Sequence, residues 1–205
     1  MQSMKTGQVT TLGELRAATW AIHQRMEKRI DVKARFSDAG LYCDHLARMW
    51  GFCAALESLL DPASVVAVLP DYGSRHKLDS LTRDLLVLGM PLEDIGRLPR
   101  CADLPAVPDQ CAALGCLYVI EGATLGGRTI LPLVERNLGF TAAQGAAFLA
   151  SYGEGVGEMW RRFGAALEAC CSTAARRDGA IAAAVGTFAS LEGWLCGHAA
   201  DLGPG

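Results

Sequence analysis

Apolar residues recur at helical spacing along most of this chain, and nowhere does a run of β-branched residues alternate strictly with polar ones. That period admits an all-α fold and little else. It is plainest near the start, where Leu15, Thr19, Ile22, Met26 and Ile30 follow at steps of three or four and so share one face of a helix. Thr10 or Thr11 can cap that helix, which should run to about Ile30. A second helix is expected over about 37–60, stopped by Asp61-Pro62, and a shorter one over about 79–88, ending at Gly89 before Pro91. Pro99, Pro105 and Pro108 make 96–108 a surface loop. A fourth helix is expected over about 109–137, a fifth over about 142–175 capped by Thr141, and a sixth over about 179–199. The implied architecture is a compact bundle of about six helices, one domain covering 1–205 with about 1–10 as a flexible N-terminus.

Composition narrows the function. Hydrophobic residues make up 51% and charged residues 20%, enough apolar material for a sizeable core. A net charge of -3 and an isoelectric point near 5.8 lack the basic footprint that phosphate backbones require, so nucleic acid is excluded as a partner. The opening "MQSMKTGQVTTLGELR" has no apolar secretory core. Residues 181–200 are apolar enough to raise a membrane span, but Glu192 and His198 within them favour a buried globular helix. The eight cysteines form no C-x-x-C pair, and adjacent Cys170 and Cys171 are poorly spaced for zinc; they read as reduced, buried thiols of a cytoplasmic protein without a membrane partner.

One segment resists a plain packing account. "IEGATLGG" at 120–127 puts Gly122, Gly126 and Gly127 inside the fourth helix, each at a cost of roughly 1 kcal/mol relative to alanine. Glycines at i, i+4 and i+5 let a backbone kink, or approach a neighbour closely, and that neighbour is either another helix or a planar ligand. Tyr118 lies one turn earlier, where its hydroxyl can meet a ligand carboxylate. In the first helix, Arg16, Trp20, His23 and Glu27 share a second stripe, with Arg16 two turns, about 10.5 Å, from His23 and Glu27 one turn beyond it. Glu27 can fix the imidazole tautomer, although histidine–glutamate pairs at this spacing are also common on solvated faces. The four histidines stand singly, so a multi-histidine metal site is not supported. Together these pieces suit a slab-like anionic ligand between a histidine helix and a glycine helix, and heme has that shape and charge.

The stretches "LRAATWAIHQRMEKRI" and "LGCLYVIEGATLGGRTI" resemble the proximal and distal helices of the heme oxygenase family, closest to its bacterial members, including those that supply bilin to bacteriophytochromes. Weaker likeness continues in "SRHKLDSLTRDLLVLG", "YGEGVGEMWRRFGAALE" and "GTFASLEGWL", so the resemblance spans about 12–196. It implies a heme sandwiched between the two helices, with His23 as axial iron ligand and Glu27 beside it. Arg16, Tyr118 and Arg161 would meet propionates, Phe188 would line the heme, and Gly122 and Gly126, continued by Gly127, would let the distal helix pass close over the iron. The position after Gly122 is often Ser or Asp in the family but is Ala123 here, which leaves Thr124 or backbone groups to order distal water. The activity implied is cleavage of heme, substrate and cofactor at once, to biliverdin, carbon monoxide and ferrous iron. Dioxygen and an external electron donor, a ferredoxin or flavoprotein reductase, are implied partners, as is a bilin acceptor such as a bacteriophytochrome. No nucleotide-binding fingerprint supplies electrons internally. Arg25, Lys28 and Arg29 are candidates for the donor's dock. The rival readings are a non-catalytic heme sensor or carrier and a thiaminase-like enzyme of the same fold.

Overall fold

A computed structural model describes residues 10–197, and the expectations for 1–9 and for His198 lie outside them. Nine α-helices and no strand occur among the described residues. Helix α1 (Thr11–Ile30) is capped by Thr10, whose hydroxyl accepts from the Gly13 amide. Asp31, in the left-handed region at φ 46°, turns the chain into α2 (Val32–Arg35). Asp38 caps α3 (Ala39–Leu59), a helix buried on most of its circumference. The Asp61-Pro62 pair stops α3 as expected and also starts α4 (Pro62–Val66): Asp61 accepts from the Ser64 amide, and proline suits a first helical turn because its missing N–H has no partner there. Then come α5 (Leu78–Val87), α6 (Leu92–Arg97), α7 (Gln110–Leu138), α8 (Val156–Cys170) and α9 (Ala174–Cys196).

Two expectations are corrected. No helix begins at Thr141. The backbone pairs Thr141 with Gln144, Gly145 adopts φ 85°, and the Ala147 and Phe148 amides donate to the buried Asp84 carboxylate, each at 2.8 Å. A side chain from α5 thus takes donors that a helix would use, and α8 forms only after a short 3-10 turn at Gly153–Gly155. The last helix begins at Ala174, five residues earlier than expected, because Thr173 caps it. Helix α7 is continuous through its glycines and through Pro132, so the kink that those glycines permit does not interrupt it.

Helix α9 is long and apolar enough to cross a membrane by composition alone, yet it packs on α7, α1 and α3 as a core helix does. Helix α8 lies against α7 and α1. Helices α1 and α7 are thus bridged by α8 and by α9, and the residues of interest lie among these four.

Candidate active site

Side chains from all four of those helices enclose a cavity of about 450 Å³, a size typical of small-molecule sites. From α1 come Arg16, Trp20 and His23; from α7, Tyr118, Gly122 and Ala123; from α8, Trp160; from α9, Phe188. The wall is a chain of ring contacts. His23 lies parallel to Trp20 at 6.5 Å and edge-on to Phe188 at 5.7 Å, Phe188 meets Tyr118 at 6.5 Å, and Tyr118 meets Trp160 at 5.9 Å. Apolar rings with one imidazole and few other polar groups suit a flat, largely apolar ligand. At the mouth Trp20 is half-exposed, and the Arg16 guanidinium lies 6.0 Å from its ring centre, where it can meet an anionic ligand edge.

The glycines of α7 divide between the two explanations that the sequence left open. A Cβ on Gly122 would meet nothing within 4 Å, and this glycine lines the cavity, so the helix presents bare backbone to whatever lies there. A Cβ on Gly127 would come 2.5 Å from the Leu149 carbonyl oxygen, so that glycine serves packing and not the ligand. Gly126 faces open space on the exposed side and does not line the cavity.

Other expected members are placed differently. Glu27 lies 3.7 Å from His23 Nδ1, beyond hydrogen-bond reach, and both side chains are substantially exposed. Arg161 pairs with Glu158 on the exposed side of α8, one turn away, and takes no part in the cavity. The Thr124 hydroxyl donates to the Glu121 carbonyl at 2.6 Å and is thereby committed to its own helix. Ala123 does reach the cavity, where it contributes a methyl group. Arg25 and Arg29 are more than solvated charges: Arg25 donates to both carboxylate oxygens of Glu192 at 2.8 and 2.6 Å, and Arg29 adds a third bond at 3.0 Å. The Arg25 hydrogen bond, aided by that from Arg29, holds the Glu192 carboxyl down at about 2 against the opposing effect of burial. This ties the histidine-bearing half of α1 to α9.

A charged network behind α7 escaped the sequence reading. Glu121, next to Gly122, points away from the cavity and accepts from Arg75 Nη1 at 2.5 Å and from the Tyr152 hydroxyl at 2.7 Å. Lys77 Nζ donates to that hydroxyl at 2.7 Å, and Arg75 forks onto Asp71 at 2.7 and 2.9 Å. Arg75, Lys77 and Glu121 are all buried, and burial lowers the Lys77 pKa while raising that of Tyr152. The only sequence signal was a glutamate within an otherwise apolar run, which looks the same whether it faces solvent or a buried arginine.

The arrangement fits heme on three counts: an imidazole on the wall, bare backbone at Gly122 in the same cavity, and aromatic surfaces beside them with a cation near the exposed Trp20. Comparison with known proteins points the same way. The family model described as Heme oxygenase matches residues 10–195. A heme oxygenase of Xanthomonas campestris pv. campestris (strain 8004) is 34% identical over 165 residues, covering 79% of this chain and 93% of that protein. The NO- and CO-bound heme oxygenase of Neisseria meningitidis superposes with a TM-score of 0.74 at 26% identity, over 94% of this chain and 95% of its own. The heme oxygenase of Leptospira interrogans shares the fold, with a TM-score of 0.73 at 14% identity over 91% and 98% of the two chains.

Proposed function

This chain belongs to the heme oxygenase family, and on that premise we propose that its substrate heme is held in the cavity, where His23 would ligate the iron. The chain is a heme-degrading oxidoreductase that uses dioxygen. Bound heme supplies the iron that activates dioxygen, and its own ring is what is opened, to biliverdin, carbon monoxide and ferrous iron. The rest falls to the protein.

His23 presents a nitrogen donor whose ring lies parallel to Trp20 and edge-on to Phe188. Arg16 and Tyr118, on different helices, hold the propionate edge and so fix how the substrate is turned in its plane. The bare backbone at Gly122 would leave room for dioxygen beside bound heme, and flanking Tyr118 and Ala123 would limit the open directions, so the choice of ring carbon would be steric. Ala123 offers no hydrogen bond, so any water near the oxygen site is ordered by backbone groups of α7. Residues 10–197 act as one unit, because four helices each contribute to the wall. An external ferredoxin or flavoprotein reductase supplies electrons from the α1 side, where exposed Lys28 lies beside Arg25 and Arg29.

The observation that carries this reading is the pairing of His23 with an unobstructed Gly122 in one cavity. Titration of apoprotein with hemin tests it. A saturable Soret band should form, be lost or strongly shifted in His23→Ala without added imidazole, and decay in air once an electron donor is added. In the same assay Lys28→Glu should slow reduction by the protein donor and leave hemin affinity alone. A Soret band unchanged in His23→Ala overturns the ligand assignment, and a band that persists through reduction in air overturns turnover.

A further inference from the structure

Three cysteines meet away from the cavity. Cys111 lies in the first turn of α7, Cys170 ends α8, and Cys171 caps it; their Sγ atoms all fall within 4.8 Å of one another, with Cys111 and Cys170 3.1 Å apart. All three are buried and none lines the cavity. Among the described residues no histidine, aspartate or glutamate joins them. Five other cysteines are scattered and show no such grouping.

We propose that Cys111, Cys170 and Cys171 form a three-coordinate thiolate site for a soft monovalent cation, Cu(I), which fastens the start of α7 to the end of α8. A trigonal site with metal–sulfur bonds of about 2.3 Å spaces its sulfurs at roughly 4 Å, which the three sulfurs can reach with small side-chain movements, since Cys111 and Cys170 stand 3.1 Å apart and no pair is more than 4.8 Å apart. A closed structural zinc site takes four protein ligands where this cluster offers three, whereas Cu(I), also a partner of soft thiolates, accepts three-fold coordination. In binding, each sulfur forms a bond to the ion and releases its proton to solvent, and no redox change occurs. Three thiolates on one monovalent ion carry two net negative charges, and Arg176 is placed to offset part of them, its Nη1 donating to the Cys170 carbonyl at 3.3 Å.

Oxidation to a disulfide is the competing fate of two thiols this close. It needs an external oxidant to reach sulfurs that are all buried, and buried thiols react poorly. A thiophilic ion instead deprotonates its ligands outright. The site is independent of the heme reading, since no residue is shared with the cavity.

The test is anaerobic titration of the reduced apoprotein with Cu(I) against a competing Cu(I) chelator. Wild type should take up one equivalent and show a raised Tm. Cys111→Ser and Cys170→Ser should each weaken uptake by more than the roughly 10–100-fold that loss of an outer-shell partner costs. The double variant Cys43→Ser/Cys196→Ser, which removes half-buried thiols, should bind as wild type does. Circular dichroism and hemin binding report whether each variant is folded. Equal Cu(I) affinity in wild type and both single variants overturns the site, as does absence of uptake at one equivalent. A fall of two in the thiol count of metal-free protein under air, with no copper bound, replaces it with a Cys111–Cys170 disulfide.

Discussion

Gly122 and Gly127 look alike in sequence and do opposite work. At Gly122 an added methyl group meets nothing, so Gly122→Ala should leave apoprotein stability equal or raised by up to about 1 kcal/mol, the helix-propensity gain. At Gly127 the same methyl strikes the Leu149 carbonyl, and Gly127→Ala should cost about 1–3 kcal/mol, typical of overpacking against a backbone that cannot yield. Urea unfolding of the two apoproteins, paired with hemin titration, separates them: Gly122→Ala should weaken hemin affinity without destabilisation, and the reverse order of stabilities refutes the assignment. The spacing showed that something comes close to this helix. It could not show which glycine faces what, because that depends on the segment around Leu149, whose path is set by Asp84 on α5.

A helix that carries exposed backbone into a ligand cavity needs holding from behind. Helix α7 is held by Glu121, whose carboxylate gathers Arg75, Tyr152 and, through Tyr152, Lys77. Removing one partner of a buried pair strands the other charge, so Glu121→Ala should destabilise the apoprotein by about 3–5 kcal/mol in urea unfolding; a loss below about 1 kcal/mol would mean that water reaches Arg75. The helices with apolar stripes and clear start or stop signals, Thr10 and Asp109 before α1 and α7 and Gly89 with Pro91 after α5, were legible from sequence to within a residue or two of their ends. The segment 141–152 was not. Its residues favour a helix locally, but Gly145 at positive φ and the claim of Asp84 on two amides override that preference, and contacts between distant segments leave no periodic trace.

Across the whole molecule, α1 forms one wall of the cavity and is fixed near both ends. At its start Thr11 donates to Glu168 at 2.9 Å, and Glu14 pairs with Arg177; in its second half Arg25 and Arg29 hold Glu192. A carboxyl held at about 2 in the fold and at its ordinary 4.5 when unfolded contributes stability above pH 4.5 that is lost as pH falls toward 2. The stability gap between wild type and Glu192→Gln should therefore be constant near neutrality, shrink below about pH 4.5 and close near pH 2, as read by denaturant midpoints across pH; a gap independent of pH refutes it. The aromatic wall has an optical consequence. Two of the four tryptophans, Trp20 and Trp160, border the cavity, whereas Trp50 and Trp194 donate to Thr82 and the Arg48 carbonyl within the α3 region. A chromophore in the cavity lies in contact with the first pair and should quench it most strongly, so occupancy dims Trp20 and Trp160 first, while unfolding of the apoprotein frees the indoles of the second pair from their hydrogen bonds.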